Sequence, residues 1–179
     1  MPVSLPLHGK KYFEEPPPRR IGVHAPFRDK DSALLLVKKQ WRVDEDAPFP
    51  WGIIGGSAGA DERTHAAWRR EIKARIGLAG LNPGRLLVVD HVSRGTYPEG
   101  INFVYEARDG RCILPRDTEL TLPPELPEYR FVTSDELGNY LSPDLVLRAR
   151  AVLDALQKNV TLELVDGCLP GSPSGVPAG

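Results

Sequence analysis

The stretch from Gly56 to Leu78 (GSAGADERTHAAWRREIKARIGL) constrains the fold of this chain more than any other segment. It combines a glycine-rich loop, an acidic residue at Glu62 and a short helical pattern. Apolar and aromatic residues recur there every three or four positions, so one side of the helix would pack against a sheet. That side carries His65, Trp68, Ile72 and Ile76. Gly77 predicts the helix end, because glycine readily adopts the left-handed backbone.

Short segments rich in β-branched and aromatic residues flank this unit and predict strands. They lie at residues 33–43, 51–54, 85–93, 101–107 and 128–133. The third and fourth are separated by a turn-rich loop and predict a hairpin. Ser142-Pro143 predicts the start of a further helix that runs to about Gln157. Strands interleaved with helices indicate an α/β fold, in which a mixed sheet is covered by helices.

Composition divides the chain into three parts. Residues 1–30 are proline-rich and predict an extended N-terminal arm, and residues 167–179 predict a flexible C-terminal tail. The segment 31–166 between them is the predicted folded domain. Such an arm could pair across a homodimer, although nothing in the sequence demands it.

Charge and hydropathy exclude several classes of partner. The formal net charge is -1, which gives no global attraction to nucleic acid or to an anionic membrane surface. No apolar run is long enough to cross a bilayer. The two cysteines, Cys112 and Cys168, are too few for a metal cage or a secreted disulfide framework, so we expect a cytoplasmic protein.

The spacing within residues 56–78 resembles the Nudix box, and the resemblance extends more weakly over about residues 30–157. The matching positions are Gly56, Glu62, Arg70, Glu71, Ile72, Gly77 and Leu78. Ala74 and Arg75 stand where the box normally has two adjacent acids. The resemblance implies a Nudix-type α/β/α sandwich with a mixed β-sheet.

The resemblance also implies a site chemistry. Nudix proteins usually hydrolyse a diphosphate linked to another group, with Mg²⁺ or Mn²⁺ held by box glutamates. By position, Glu71 corresponds to a metal ligand and catalytic residue. Gly55 and Gly56 correspond to the loop that approaches the diphosphate, while three further positions correspond to structural elements of the box. These structural positions are Glu62, Arg70 and Gly77.

The substitutions at positions 74 and 75 weaken the implied metal site. Positions 71, 74 and 75 share one helix face, so this chain offers one carboxylate, one methyl group and one guanidinium. A unit charge ~5 Å from a divalent ion costs roughly 6–7 kcal/mol at an effective dielectric constant of ~20. Binding of Mg²⁺ or Mn²⁺ is therefore possible but weakened, and a site without metal is also compatible with the sequence. Arg75 has two interpretations: an ion pair with Glu71, or a direct contact with a diphosphate.

Residues outside the box could contribute to the site. Glu106 follows a predicted strand and is the second candidate catalytic residue, while Glu99 and the acids at 44–46 are further candidates whose simplest interpretation is solvated surface. Several aromatic residues could stack on a base, although core packing is the commoner use of such side chains. They are Trp41, Trp51, Tyr97 and Tyr105.

The sequence is compatible with three alternative functions. The first is a hydrolase acting on a nucleotide-like or other organic diphosphate, with impaired or altered metal dependence. The second is a non-catalytic domain that binds a small-molecule diphosphate as a sensor or partner module. The third is an enzyme that has been repurposed for metal-independent chemistry.

Overall fold

The computed structural model of the protein describes residues 10–16 and 18–172. The helices of this part are α1 (Lys10–Glu14), α2 (Gln40–Asp44), α3 (Thr64–Ile76) and α4 (Pro143–Lys158). The strands are β1 (Arg20–Ala25), β2 (Leu34–Lys38), β3 (Trp51–Ser57), β4 (Pro83–Val92), β5 (Gly100–Ala107), β6 (Tyr129–Val132) and β7 (Leu162–Val165). Single 3-10 turns lie at Arg108–Gly110 and Leu137–Asn139.

The seven strands form one mixed sheet in the order β6-β2-β3-β1-β5-β4-β7. Strand β1 runs parallel to β5, and β4 runs parallel to β7, whereas the remaining pairs are antiparallel. Helix α3 packs on one face above one apolar cluster, and α4 packs on the other face above two further clusters. The predicted α/β/α sandwich and the predicted hairpin of β4 and β5 are confirmed.

Helix α3 is fixed to the sheet by its apolar face. Trp68 and Ile72 are fully buried, which is worth roughly 2–3 kcal/mol for each side chain. The Trp68 indole Nε1 also donates to the backbone oxygen of His24 at 3.1 Å. The helix ends at Gly77, whose φ of 74° is left-handed and whose N–H bonds to the Lys73 oxygen. The prediction for His65 is wrong: the residue is exposed, and its ring lies against the edge of Tyr105.

Strand β1 lies inside the predicted N-terminal arm and is central to the sheet. It pairs with β3 on one side and with β5 on the other. Its sequence RIGVHA alternates, so that Ile21, Val23 and Ala25 point to one face and Arg20, Gly22 and His24 to the other. The sheet therefore begins at Arg20, inside the predicted arm, rather than after residue 31. Residues 1–9 and 17 of the predicted arm lie outside the described residues.

The strand predicted over residues 33–43 is too long. Strand β2 ends at Lys38, and the chain then enters helix α2. Lys38 pairs with Trp51, the first residue of β3, and the segment before Trp51 contains Pro48 and Pro50. Because proline cannot donate to a ladder, β2 has no partner strand beyond this point.

Helix α4 starts at the predicted Ser142-Pro143 pair and ends at Lys158, where Asn159 takes a left-handed conformation. Strand β7 was not predicted. The predicted tail begins as an anchored turn: the Gly167 N–H donates to Asp90 Oδ1 at 3.1 Å, and residues 173–179 lie outside the described part. No helix among the described residues is long and apolar enough to cross a membrane.

Candidate functional site

The glycine-rich loop after β3 is held by a clasp between Glu62 and Arg70. Arg70 Nε and Nη2 donate to the two carboxylate oxygens of Glu62 at 2.8 and 2.7 Å. The Gly59 N–H donates to the same carboxylate, and Arg70 Nη2 also donates to the Ser57 oxygen. The Arg70 guanidinium lowers the pKa of Glu62 to about 2. This geometry matches the structural role that the box resemblance implies for both residues.

Glu71 is a buried carboxylate enclosed by arginine. The residue is 5% exposed, and it lies so close to the loop that a Cβ added at Gly56 would overlap its carboxylate. Arg70 Nη1 contacts Oε1, and Arg75 Nε donates to Oε2 at 2.9 Å. Of the two interpretations of Arg75, the structure therefore shows the ion pair with Glu71. The Arg75 side chain is still 34% exposed and lines the adjacent cleft, so its outer edge faces any ligand bound there.

The residues around Glu71 do not fit the divalent ion that the Nudix family implies. Both carboxylate oxygens already accept from guanidinium groups. An ion on Glu71 would lie ~5 Å from two positive charges, each costing roughly 6–7 kcal/mol at an effective dielectric constant of ~20. Across the described residues, no three side chains of His, Cys, Asp or Glu are grouped so as to hold a metal. We therefore assign no reaction step to a metal.

A cleft of about 750 Å³ opens beside Glu71 and Arg75. The floor of the cleft is the face of the sheet on which α4 packs, and His24 of β1 and Asn102 of β5 lie there. Its walls are formed by α2, the start of α4 and the loop before β5. The residues that carry its chemistry are Arg20, His24, Lys39, Trp41, Arg42, Glu45, Tyr97, Asn102, Asp144 and Arg148. Gly55 and Gly56 also line it, as expected for the loop that approaches a diphosphate.

Lys39 is one of several cations in the cleft that the sequence did not single out. It directly follows β2, and its Cε would lie 3.1 Å from a Cβ added at Gly52, so the glycine leaves room for the lysine chain. Among the described residues it makes no ion pair. Burial, together with the positive charges of Arg42, Arg75 and Arg148, lowers the pKa of Lys39 to about 8. An ammonium group surrounded by cations favours an anion as its missing partner.

The floor of the cleft contains a neutral histidine. His24 Nε2 lies 3.2 Å from Asn102 Oδ1, so the tautomer with a proton on Nε2 makes this hydrogen bond. Nδ1 is then a buried acceptor without a protein partner. Burial, followed by the charges of Arg148 and Lys39, lowers the pKa of His24 to about 3. His24 therefore adds polarity but no charge at neutral pH.

Arg148 reaches the cleft from α4 and is held by a buried acid. Its Nε donates to Asp90 Oδ2, and the other oxygen of Asp90 accepts from the Gly167 N–H. Arg148 and Asp90 are both buried. Because the Gly167 N–H also holds the Asp90 carboxylate, the Arg148 guanidinium is already positioned before a ligand binds.

The structure does not bring the other candidate acids to Glu71. Glu106 faces Arg85 at 3.2 Å, and this arginine in turn donates to the backbone oxygens of Ala155 and Val160 at the end of α4. Glu99 pairs with Arg19 at 2.7 Å. Of the acids at 44–46, Glu45 lines the cleft.

This fold and box define a Nudix protein, and the comparisons agree. The family model described as NUDIX domain matches residues 18–156. The chain therefore belongs to the Nudix family. The match begins close to β1, in agreement with the structural start of the domain.

Similar proteins come from bacteria and archaea. The nucleoside triphosphatase NudI of Escherichia coli (strain K12 / DH10B) is 29% identical over 145 residues, which cover 75% of this chain and 95% of that protein. The MutT protein of Methanosarcina mazei Go1 has a TM-score of 0.59 at 21% identity, covering 79% of this chain and 96% of that one. The E. coli ORF135 protein has a TM-score of 0.57 at 17% identity, covering 78% and 92%. The two solved structures support the fold alone.

Proposed function

We propose that the protein binds a nucleotide-like or other organic diphosphate in the cleft, with arginine and lysine side chains taking the place of the usual divalent ion. The observation that carries this proposal is Lys39, a partly buried ammonium whose charged neighbours are Arg42, Arg75 and Arg148. A diphosphate would supply the negative charge that the described protein groups do not give to Lys39. Arginine adds directional donors, because guanidinium binds phosphate through two parallel N–H groups.

In this proposal Glu71 orients cations rather than a metal. Its two oxygens hold Arg70 and Arg75, so the outer edge of Arg75 faces the cleft beside Gly56. The glycine loop allows the diphosphate oxygens to approach the backbone closely. We expect this binding to occur in the cytoplasm, where the free thiols of Cys112 and Cys168 stay reduced.

A thermal-shift titration with ADP in excess EDTA tests the proposal. We expect ADP to raise the melting temperature without metal, because it binds only the folded state. Lys39→Met should weaken ADP binding at least tenfold, and Arg75→Ala should weaken it as well. Lys38→Met is the matched control, since Lys38 lies next in the chain, pairs with Glu128 and does not line the cleft. A shift that requires Mg²⁺, or equal loss in both lysine variants, would contradict the proposal.

Hydrolysis is the second candidate function, and the comparisons favour it. The chain is a Nudix protein, and the relatives at 28–29% identity are described as nucleoside triphosphatases. A hydrolase with altered metal dependence would release phosphate from a nucleotide in the presence of Mg²⁺ or Mn²⁺, and Glu71→Gln would slow it. Unchanged turnover in that variant would remove Glu71 from the mechanism. Turnover in EDTA that persists in Glu71→Gln would instead support a repurposed, metal-independent enzyme.

A further inference from the structure

Lys39 differs from the other lysines of the described residues in its surroundings. It lines the cleft, and its Nζ would lie 3.3 Å from a Cβ added at Gly52, so the amine extends over the backbone of β3. Lys73, on α3, is exposed and lies outside the cleft, and within the described part of the chain it makes no ion pair. The remaining lysines of that part each pair with a carboxylate: Lys10, Lys11, Lys30, Lys38 and Lys158.

The backbone of Lys39 is fixed on both sides. Its N–H donates to the Pro50 oxygen at 2.9 Å, and its own carbonyl oxygen accepts from the N–H groups of Arg42 and Val43 at 3.1 and 3.3 Å. Lys39 is thereby the residue that caps the start of α2. Because the backbone is held in this way, the amine can move only through rotations of its own side chain.

The surroundings of Lys39 favour an uncharged amine. Burial, together with the charges of Arg42, Arg75 and Arg148, lowers the pKa of Lys39 from the usual 10.5 to about 8. At pH 7.5 roughly a quarter of Lys39 is then free amine, against about one part in a thousand for a lysine with the usual pKa. A free amine is a nucleophile, and burial beside another cation is one way in which proteins activate lysine.

The same three arginines attract phosphate. Each is held by a protein acceptor and keeps further N–H groups that a ligand can use. Guanidinium binds phosphate through parallel N–H groups, and it also stabilises the negative charge that develops on a departing phosphate. A small electrophile that carries a phosphate would therefore be held beside an uncharged amine. Acyl phosphates have both properties, because their carbonyl carbon is electrophilic and their phosphate is the leaving group.

We propose that Lys39 is an acylation site for acyl phosphates, in which the arginines of the cleft bind the phosphate while the amine attacks the carbonyl carbon. An amide bond forms between that carbon and Nζ, and the bond from the carbon to the phosphate oxygen breaks. The proton of the amine leaves with the phosphate as hydrogen phosphate, so the reaction needs no further co-reactant.

Acylation changes the charge of the cleft. The amide is neutral at every pH, so the modified protein loses one of the positive charges that face a ligand. The acylation step itself does not depend on diphosphate binding. Its consequence rests on the proposed function: acylated Lys39 no longer attracts the diphosphate, so the modification lowers the affinity of the cleft for its ligand.

Reaction of the full chain with acetyl phosphate at pH 7.5 tests the inference, with the rate at each lysine followed by peptide mass spectrometry. We expect Lys39 to be acetylated at least tenfold faster than Lys38 and Lys73. Lys38 controls for the local sequence, and Lys73 controls for the lack of an ion pair. The difference should disappear in concentrated urea, where the fold is lost. p-Nitrophenyl acetate carries no phosphate and should show a smaller preference for Lys39.

Two results would overturn the acylation site. One is an equal rate at the three lysines, and the other is a preference for Lys39 that is as large with p-nitrophenyl acetate as with acetyl phosphate.

Titration with ADP in EDTA separates this inference from the proposed function. ADP should slow the acetylation of Lys39, and the acetylated protein should bind ADP at least tenfold more weakly. Selective acetylation of a protein that does not bind ADP would refute the diphosphate proposal and leave the acylation site standing. ADP binding without selective acetylation would do the reverse.

Discussion

Replacing Glu71 by glutamine separates a charge-orienting role from a metal-binding role. The variant keeps the shape of the side chain but removes the charge that holds Arg70 and Arg75. A hydrogen bond to a charged group is worth about 1.5–3 kcal/mol. The side chains of Arg75 and Arg70 are 34% and 48% exposed, so water can solvate both guanidinium groups once the charge is removed. The lower end of that range, about 1.5 kcal/mol, therefore applies to each bond. The two bonds therefore total about 3 kcal/mol, and the amide oxygen can still accept from one arginine, which is worth about 1 kcal/mol and leaves a net loss of about 2 kcal/mol.

We expect Glu71→Gln to lower the melting temperature by about 4–8 °C, since 1 kcal/mol corresponds to about 2–4 °C for a chain of this size. Urea unfolding should show the same loss in free energy. Glu163→Gln is the matched control: its side chain is 70% exposed, and we expect a change below about 0.5 kcal/mol. A melting temperature equal to or above that of the wild type would refute the reasoning. So would a large Mn²⁺-dependent stabilisation of the wild type that the variant lacks, because Glu71 would then be a metal ligand.

Three further outcomes are expected. The pKa of Lys39 falls from 10.5 to about 8 on folding, so the unfolded chain holds more protons between these pH values and stability rises with pH across this window. Lys39→Met should remove that rise in urea unfolding series recorded from pH 7 to 10.5, and an identical pH profile in both proteins would contradict the assignment. Restoring the two acids as Ala74→Glu with Arg75→Glu should create Mn²⁺ binding that calorimetry detects, together with a gain in nucleotide hydrolysis; no binding would show that the arginine was not the obstacle. Gly56→Ala places a methyl group against the Glu71 carboxylate and should cost about 1–3 kcal/mol of unfolding free energy, whereas an unchanged value would show that the loop can shift.

The box and its helix could be predicted from the sequence because their signals are local. Trp68 and Ile72 recur at helical spacing, and Gly77 marks the end of α3, so the three residues specify that element without tertiary information. The clasp between Glu62 and Arg70 was available only through the family resemblance. Its two residues are eight positions apart and meet because the loop folds back onto the helix.

The cleft could not be predicted because its residues meet only through long-range pairing. In the sequence, Lys39 is one of two adjacent lysines that follow an apolar run. Its positively charged surroundings come from Arg75 and Arg148, which lie on helices distant in sequence. The alternation of polar and apolar residues around His24 was a usable strand signal that the neighbouring prolines obscured. The sequence predicts a strand at Trp41, whereas the end of β2 depends on where its partner β3 begins.

The position of β1 has a consequence for how the chain assembles. Its partner β3 follows about thirty residues later, and β5 follows about eighty residues later. During synthesis this strand emerges before either partner exists, and the middle of the sheet stays open until β5 has left the ribosome. Contacts so distant in sequence slow folding, because the entropy of closing the loop is lost before pairing compensates for it. Among the strands of the described residues, the first to be made is one of the last to be secured on both edges.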